Sequence, residues 1–524
     1  MPSPVVPHSP ALLLPKTKAW LLLWLVGLVL GAARPPQHDT AAARQAPEAT
    51  APFTNELSPA ARRAYAELLK LRIEPARAIL RDELNRAPIS AGTLLVADCI
   101  DFTELMVLQQ ASRYEAVVAA QDRRLAALEK SAERGPLREY ARAEIRLHQA
   151  AAQVTYQHEI QGAWSLRQAY QQMQAVVQRY PNFIPARKTL GMCQFMIGSL
   201  PAGYHWFLKL LGLPGSVEAG VKNLRLAAQQ PHDFQPEARL ILALVQETYY
   251  KKAEEAAQLV QQLATQQPDN LLYSYLLISL NKRLHRTELA LTAYHRRPTG
   301  AGYLPVPYLH HMAADLLLYQ GNYAASLRAN QQFLRDYQGV HYRKDAAFKL
   351  YLAAWLSGDH AAAERYRQQI GAGGRTVVEE DAYAQRFVED KLPLNRTLTR
   401  ARLQIDGGYY RAALNTLRSF TGSGLLRDQL EDPYRRARAY QGLGRLDSAR
   451  LFYTRTIALA GKAPYYFGPQ SALQMGYLCQ AEGQLNMARL YFQKALDSPR
   501  HEYKNSTDAK AKVALAALPT AKLR

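Results

Sequence analysis

The adjacent residues His310 and His311 are the first place in this 524-residue chain to look for metal chemistry. Neighbours on a helix point about 100° apart, so the two rings cannot easily share one ion and read as separately placed side chains. Glu379, Glu380 and Asp381 form an acidic run that reads as a solvated helix face. Glycoside hydrolysis needs two carboxylates placed by the fold, and nothing in the sequence selects a pair from 44 acidic residues. Gly442-Leu-Gly444 would cradle a phosphate only after a strand, and none precedes it. The chain has no Gly-x-Ser-x-Gly, no His-Glu-x-x-His and no Gly-x-x-x-x-Gly-Lys-Ser/Thr. Cys99, Cys193 and Cys479 are too far apart for any Cys-x-x-Cys site and too few for a disulfide framework. The expectation is a protein that is not an enzyme, with no catalytic residue, metal ligand or cofactor assigned.

The elements that would position a binding site are helices. From Leu57 onward, Ala, Leu, Gln, Arg and Tyr recur with apolar residues at helical spacing and little β-branched alternation. The helices come in pairs joined by tight turns. Gly321, Gly358, Gly408, Gly444 and Gly483 mark five turns, each followed five residues later by a small residue: Ser326, Ala363, Ala413, Ala449 and Ala488. The turns are 37, 50, 36 and 39 residues apart, and a helix inserted between Val377 and Leu392 fills the longest step. About ten or eleven pairs fit between Leu57 and Pro499, and the fold class expected is all-α, a right-handed superhelical solenoid of paired antiparallel helices.

At the amino terminus, Lys16 and Lys18 precede an uncharged run from Ala19 to Ala33 that closes on Gly31 and Ala33. This is the plan of a signal peptide, residues 1–33, and the run is shorter than the roughly 20 residues a bilayer span requires. An uncleaved anchor through residues 19–33 is the alternative. Residues 34–56, rich in Ala, Pro, Thr and Gln, read as a flexible tether. The solenoid is expected over 57–504 with an inserted apolar helix at 199–214, and 505–524 as a terminal helix and tail. The chain is read as exported, periplasmic or at the cell surface.

Met475-Gly476-x-x-Cys479-x-x-x-Gly483-x-x-x-x-Ala488-x-x-x-Phe492-x-x-Ala495, ending at Pro499, resembles a tetratricopeptide repeat, and Tyr434 to Thr456 repeats it with Ala437, Tyr440, Gly444, Ala449 and Tyr453. Small residues let two helices approach, glycine permits the turn, and aromatics fill the space between pairs. Residues Phe195 to Ser216, with Gly-Ser-Leu-Pro201 before an apolar helix and Leu-Gly-Leu-Pro-Gly215 after it, are similar to a segment of the tetratricopeptide-repeat-39 and inclusion-body-clearance group. Leu213 stands where that group tends to have Phe. The plain reading of this segment is a plug helix between neighbouring pairs.

In such a superhelix the first helix of each pair lines the concave side, and positions spaced 3, 4 and 3 share one face. Counting back from each turn glycine, that face carries Tyr308, His311, Asp315 and Leu318, then Asp345, Phe348, Leu352 and Trp355. The next pairs contribute Asn395, Leu398, Arg402 and Ile405, then Glu431, Tyr434, Arg438 and Gln441, then Gln470, Leu473, Tyr477 and Gln480. Tyr308, His311, Phe348, Trp355, Arg402, Tyr434, Arg438 and Tyr477 are the peptide-groove candidates, being of the types that dominate binding hot spots. The Lys and Asn pattern by which chaperone-binding relatives clamp a terminal carboxylate is missing.

The chain carries a net charge of +21, and Lys391 to Arg455 holds 13 basic against 5 acidic residues. Nucleic acid is disfavoured as a partner because no reading motif accompanies the charge. An anionic surface, an acidic glycan or an acidic protein suits it better, and no multi-spanning membrane segment is present. The function expected is that of an exported scaffold for protein or peptide partners. The alternatives are an enzyme or carbohydrate-binding accessory protein with a groove site, and a membrane-anchored adaptor of the inclusion-body-clearance type.

Overall fold

The computed structural model describes residues 54–86, 89–200, 208, 212–250 and 252–519. The expected signal peptide, all but the last three residues of the tether, most of the expected inserted helix at 199–214 and the end of the tail lie outside the described residues. Within them the protein is helical and has no strand.

The amino-terminal helices are α1 (Pro59–Leu69), α2 (Ile73–Leu84), α3 (Ala91–Leu108), α4 (Tyr114–Lys130), α5 (Pro136–Thr155), α6 (Glu159–Arg179), α7 (Pro185–Gly198) and α8 (Val217–Gln229). The middle holds α9 (Gln235–Thr248), α10 (Ala253–Gln266), α11 (Leu271–Arg283), α12 (Thr287–Arg296), α13 (Tyr308–Gln320), α14 (Tyr323–Asp336), α15 (Arg343–Ser357) and α16 (His360–Gly371). The carboxy-terminal part holds α17 (Glu379–Glu389), α18 (Arg396–Asp406), α19 (Tyr410–Arg418), α20 (Leu426–Gly442), α21 (Leu446–Ala460), α22 (Phe467–Ala481), α23 (Leu485–Leu496) and α24 (Lys504–Ala517). Among the described residues these form eleven helical hairpins, with α17 inserted after the eighth and α24 closing the stack.

Local chemistry sets the boundaries. Side chains of Ser90, Asn270, Asp359 and Asn395 accept backbone N–H groups of the turns they precede, which satisfies donors a helix start leaves unpaired. The five turn glycines all adopt left-handed φ, between 71° and 96°, a region where a side chain would be strained. Ser326, Ala363, Ala413, Ala449 and Ala488 are buried, as close helix approach requires. Gly476 shows the same economy: a Cβ there would stand 2.4 Å from the Phe492 ring, so α22 and α23 meet across a bare backbone.

Residues from Leu57 to Leu316 form the largest core cluster, beside smaller ones around Phe102, Val221 and Val260, and the later hairpins build clusters around Phe348, Tyr434 and Phe492. The amino-terminal hairpins also meet distant ones. Leu304 N–H donates to the Leu71 carbonyl at 2.8 Å, and Tyr337 Oη donates to Gln109 Oε1 at 2.7 Å across 228 residues. The inserted helix between Val377 and Leu392 is α17, and it redirects the chain. It packs on α15 and α16, while α18 comes back onto α13. The α11–α12 turn then meets the α18–α19 turn, where Thr287 Oγ1 donates to the Gly407 carbonyl at 2.9 Å.

Candidate functional site

The inner-face positions are not equally open along the chain. In α13, His311, Asp315 and Leu318 are buried and only Tyr308 is half-buried; in α15, Asp345, Phe348 and Leu352 are buried and Trp355 is half-buried. In α18 and α20, Arg402 and Arg438 are half-buried while Leu398, Ile405, Glu431 and Tyr434 are buried. In α22, Gln470, Tyr477 and Gln480 are half-buried and Leu473 is buried. The face closes over the middle hairpins and opens toward the carboxy terminus.

The closed part is filled by compensated charge. His311 Nδ1 lies 2.8 Å from Asn330 Oδ1 and its Nε2 lies 3.0 Å from Asp345 Oδ2. Lys349 pairs with Asp345 at 2.7 Å and with Asp315 at 2.6 Å, and Lys282 also pairs with Asp315. Opposite charges thus alternate across α11, α13 and α15. Burial alone would raise the Asp315 and Asp345 carboxyls, but Lys282 and Lys349 hold Asp315 well below the usual carboxylate range, and Lys349 with His311 lowers Asp345. His310, by contrast, faces Tyr294 Oη at 2.9 Å, so the two adjacent histidines serve different neighbours. Tyr308 and His311 rest against Tyr342, with ring centroids 4.9 and 5.6 Å away.

Further toward the amino terminus, Lys188 is buried, 2.9 Å from Glu144 and 2.8 Å from Glu237. Thr189 Oγ1 donates to the second Glu144 oxygen at 2.6 Å, and Tyr65 Oη donates to Glu237. The Lys188 ammonium also lies over the Tyr140 and Phe234 rings. No donor in this set lacks an acceptor within reach.

The carboxy-terminal set differs. Glu431, in α20, receives Arg435 at 2.7 Å and Arg427 at 3.2 Å. Burial alone would raise its carboxyl, but Arg435, Arg427 and Arg402 together hold it below the usual range. Arg435 also donates to Tyr466 Oη at 3.0 Å. Arg402 donates to Tyr383 Oη at 3.3 Å and, like Arg438, has no carboxylate at ion-pair distance among the described residues. Asp406 attracts Arg402, Arg435 and Arg438 only from longer range. The Nε–H of buried Arg427 has no acceptor among the described residues. Arg402 and Arg438, both half-buried, thus lack a carboxylate at contact distance, Asp406 acting on them, and Glu502 on Arg427, only from longer range.

The candidates fall into five groups. Tyr308 and His311 join the buried ladder, Phe348 and Trp355 stack with Tyr351 and Phe387, and Tyr434 packs on Tyr466 and Phe467. Tyr477 packs edge-on against Phe492. Arg402 and Arg438, on neighbouring first helices, flank Arg435. Sequence reasoning did not find Tyr383 and Tyr466, which lie outside the repeat register, on the inserted helix and just before α22. It also passed over Lys188, Glu144 and Glu237, whose signal was a charged residue among apolar neighbours on a first helix. No family model matches the chain, and a search of curated proteins finds no match.

Proposed function

We propose that the chain is an exported, non-enzymatic scaffold, a right-handed tetratricopeptide-type superhelix that binds a protein or peptide through the inner face of its carboxy-terminal hairpins. One observation carries this reading: from α13 on, the assigned face has one half-buried position per helix in α13 and α15 but two or more from α18 onward, and there it presents Arg402 and Arg438 without carboxylate partners. Arginine and tyrosine on a concave helical surface are the residue types that concentrate binding energy. The export component rests on Lys16, Lys18 and the apolar run to Ala33. Sequencing the amino terminus of the exported product tests it, a start at Arg34 supporting cleavage and an intact start favouring the membrane-anchored reading. Affinity capture with residues 34–524, compared with the Arg402→Glu/Arg438→Glu variant, tests the site. A discrete partner retained by the first and lost by the second is expected; a partner retained equally by both places binding elsewhere.

A further inference from the structure

We infer that α18 and α20 form a docking surface for an extended acidic peptide segment bearing two side-chain carboxylates on one face, an Asp/Glu-x-Asp/Glu pattern. This rests on the scaffold reading above and specifies its ligand. The argument is charge complementarity. Arg427 and Arg435 share the two oxygens of Glu431, so that carboxylate is already occupied. Arg402 and Arg438 remain half-buried without a carboxylate partner, each a planar fork suited to one bidentate carboxylate. Arg402 and Arg435 donate to Tyr383 and Tyr466 hydroxyls, which leaves both hydroxyl protons free to donate to an incoming anion.

Spacing narrows the class. The two arginines stand on neighbouring first helices, and packed helices run about 8–10 Å apart. Residues i and i+2 of an extended segment lie about 7 Å apart on one face, close enough for the two side chains to reach both forks. A chain-terminal carboxylate supplies one such group at one point and would leave the second arginine unfilled. Glu431 in the midst of the cluster opposes a compact polyanion, whereas two separated carboxylates straddle it. Half-buried Tyr477 and Gln480 on α22 continue the surface and would meet an aromatic residue further along the segment.

Rhodamine-labelled, carboxy-amidated decapeptides test this by fluorescence anisotropy on residues 34–524, one with Glu at alternate positions and one Tyr, one with the same composition but its Glu residues contiguous. The alternating peptide is expected to bind, with affinity falling as salt rises, and Arg402→Glu/Arg438→Glu is expected to weaken it by about thirty-fold or more. Arg402→Lys/Arg438→Lys, which keeps charge but loses the fork, should fall between. Should the Glu variant melt well below the parent chain, Arg402→Ala/Arg438→Ala serves for the same comparison. Equal binding of both peptides, or binding unchanged in the variants, overturns the proposal. So does tighter binding of a sulfated glycan or of single-stranded DNA than of the alternating peptide. If neither peptide binds while affinity capture still yields a partner lost in the Glu variant, the scaffold reading survives and the acidic assignment falls; if capture also fails, both fall.

Discussion

Two clusters on first helices, Lys188 with Glu144 and Glu237, and Glu431 with the four arginines around it, behave oppositely. In the first, one ammonium answers two carboxylates, and Thr189, Tyr65 and two aromatic rings close around it. In the second, one carboxylate answers two arginines directly while two more remain half-buried without one. A network whose members hydrogen-bond one another around a buried ion fixes how helices meet, because Lys188 or Glu144 left unpaired would sit in a medium that solvates it poorly. A half-open cluster with donors to spare can take its missing acceptors from outside. Charge on these first helices is thus structural or receptive according to whether each cation finds a carboxylate at contact distance, as Lys188 does and Arg402 and Arg438 do not.

The widest gap between the two clusters should appear when a central ion is removed. Lys188→Met leaves Glu144 buried with its main cation gone, and a loss of about 3–5 kcal/mol is expected in denaturant unfolding. Adding Glu144→Gln and Glu237→Gln should recover much of it, since the neutral set no longer strands a charge. A Lys188→Met chain of unchanged stability would break the comparison. Glu431→Gln is expected to cost about 2–3 kcal/mol, because Arg435 and Arg427 lose charge-assisted hydrogen bonds inside the protein. The cost should be smaller than at Lys188, as the amide replacing the carboxylate still offers Arg435 an acceptor oxygen.

Much of this architecture could be read before any coordinates. Gly321, Gly358, Gly408, Gly444 and Gly483 carry the turns because left-handed φ leaves few alternatives, and that signal is local. The helix between Val377 and Leu392 was legible as a surplus of residues in one step. Its consequence was not: that α18 returns to α13 depends on packing between segments far apart in sequence. The same holds for the site. Arg402, Glu431, Tyr434 and Arg438 follow from a 3-4-3 spacing, but which arginine is paired depends on Tyr383 and Tyr466, placed by the insertion and by the loop before α22. The acidic run at Glu379 to Asp381 was read as a solvated face, yet Asp381 is fully buried and accepts the backbone N–H groups of Tyr342 at 2.6 Å and Asp345 at 2.9 Å. A residue 36 and 39 positions along the chain from its partners gives no local sign of that.

Asp381 lies on α17, at the junction of the two regimes, and gives them different pH responses. Burial, with Asp345 nearby, pushes its carboxyl up to about 6, against the opposing pull of those two N–H groups and of His311. Glu380, whose carboxyl burial also raises, and Lys349 complete the charged surroundings. The folded chain therefore binds a proton between roughly pH 6 and 4 that the unfolded chain does not, so this group adds stability as pH falls through that window. The slope expected is at most about 1.4 kcal/mol per pH unit. Below it the effect reverses, as Asp315, Asp345, Glu144 and Glu431, all held low in the fold, take up protons. Asp381→Asn should flatten the upper window and leave the acid limb in place. Identical profiles for the two chains would show that Asp381 is solvated.

The smallest effect expected is the most informative. Arg402→Ala and Arg438→Ala should each change unfolding free energy by less than about 1 kcal/mol, since neither side chain holds an ion pair and both are reached by water. Removing them also lowers repulsion on Arg435, which neighbours both, and this offsets part of the packing lost from their aliphatic stems. Were they structural in the manner of Lys188, either truncation would cost several kcal/mol and lower the melting temperature clearly. Were they ordinary surface arginines, truncation would cost little, but the alternating acidic peptide would bind as before. Near-neutral stability together with lost peptide binding is the one combination in which an unclosed charge count on the inner face marks a receptor surface.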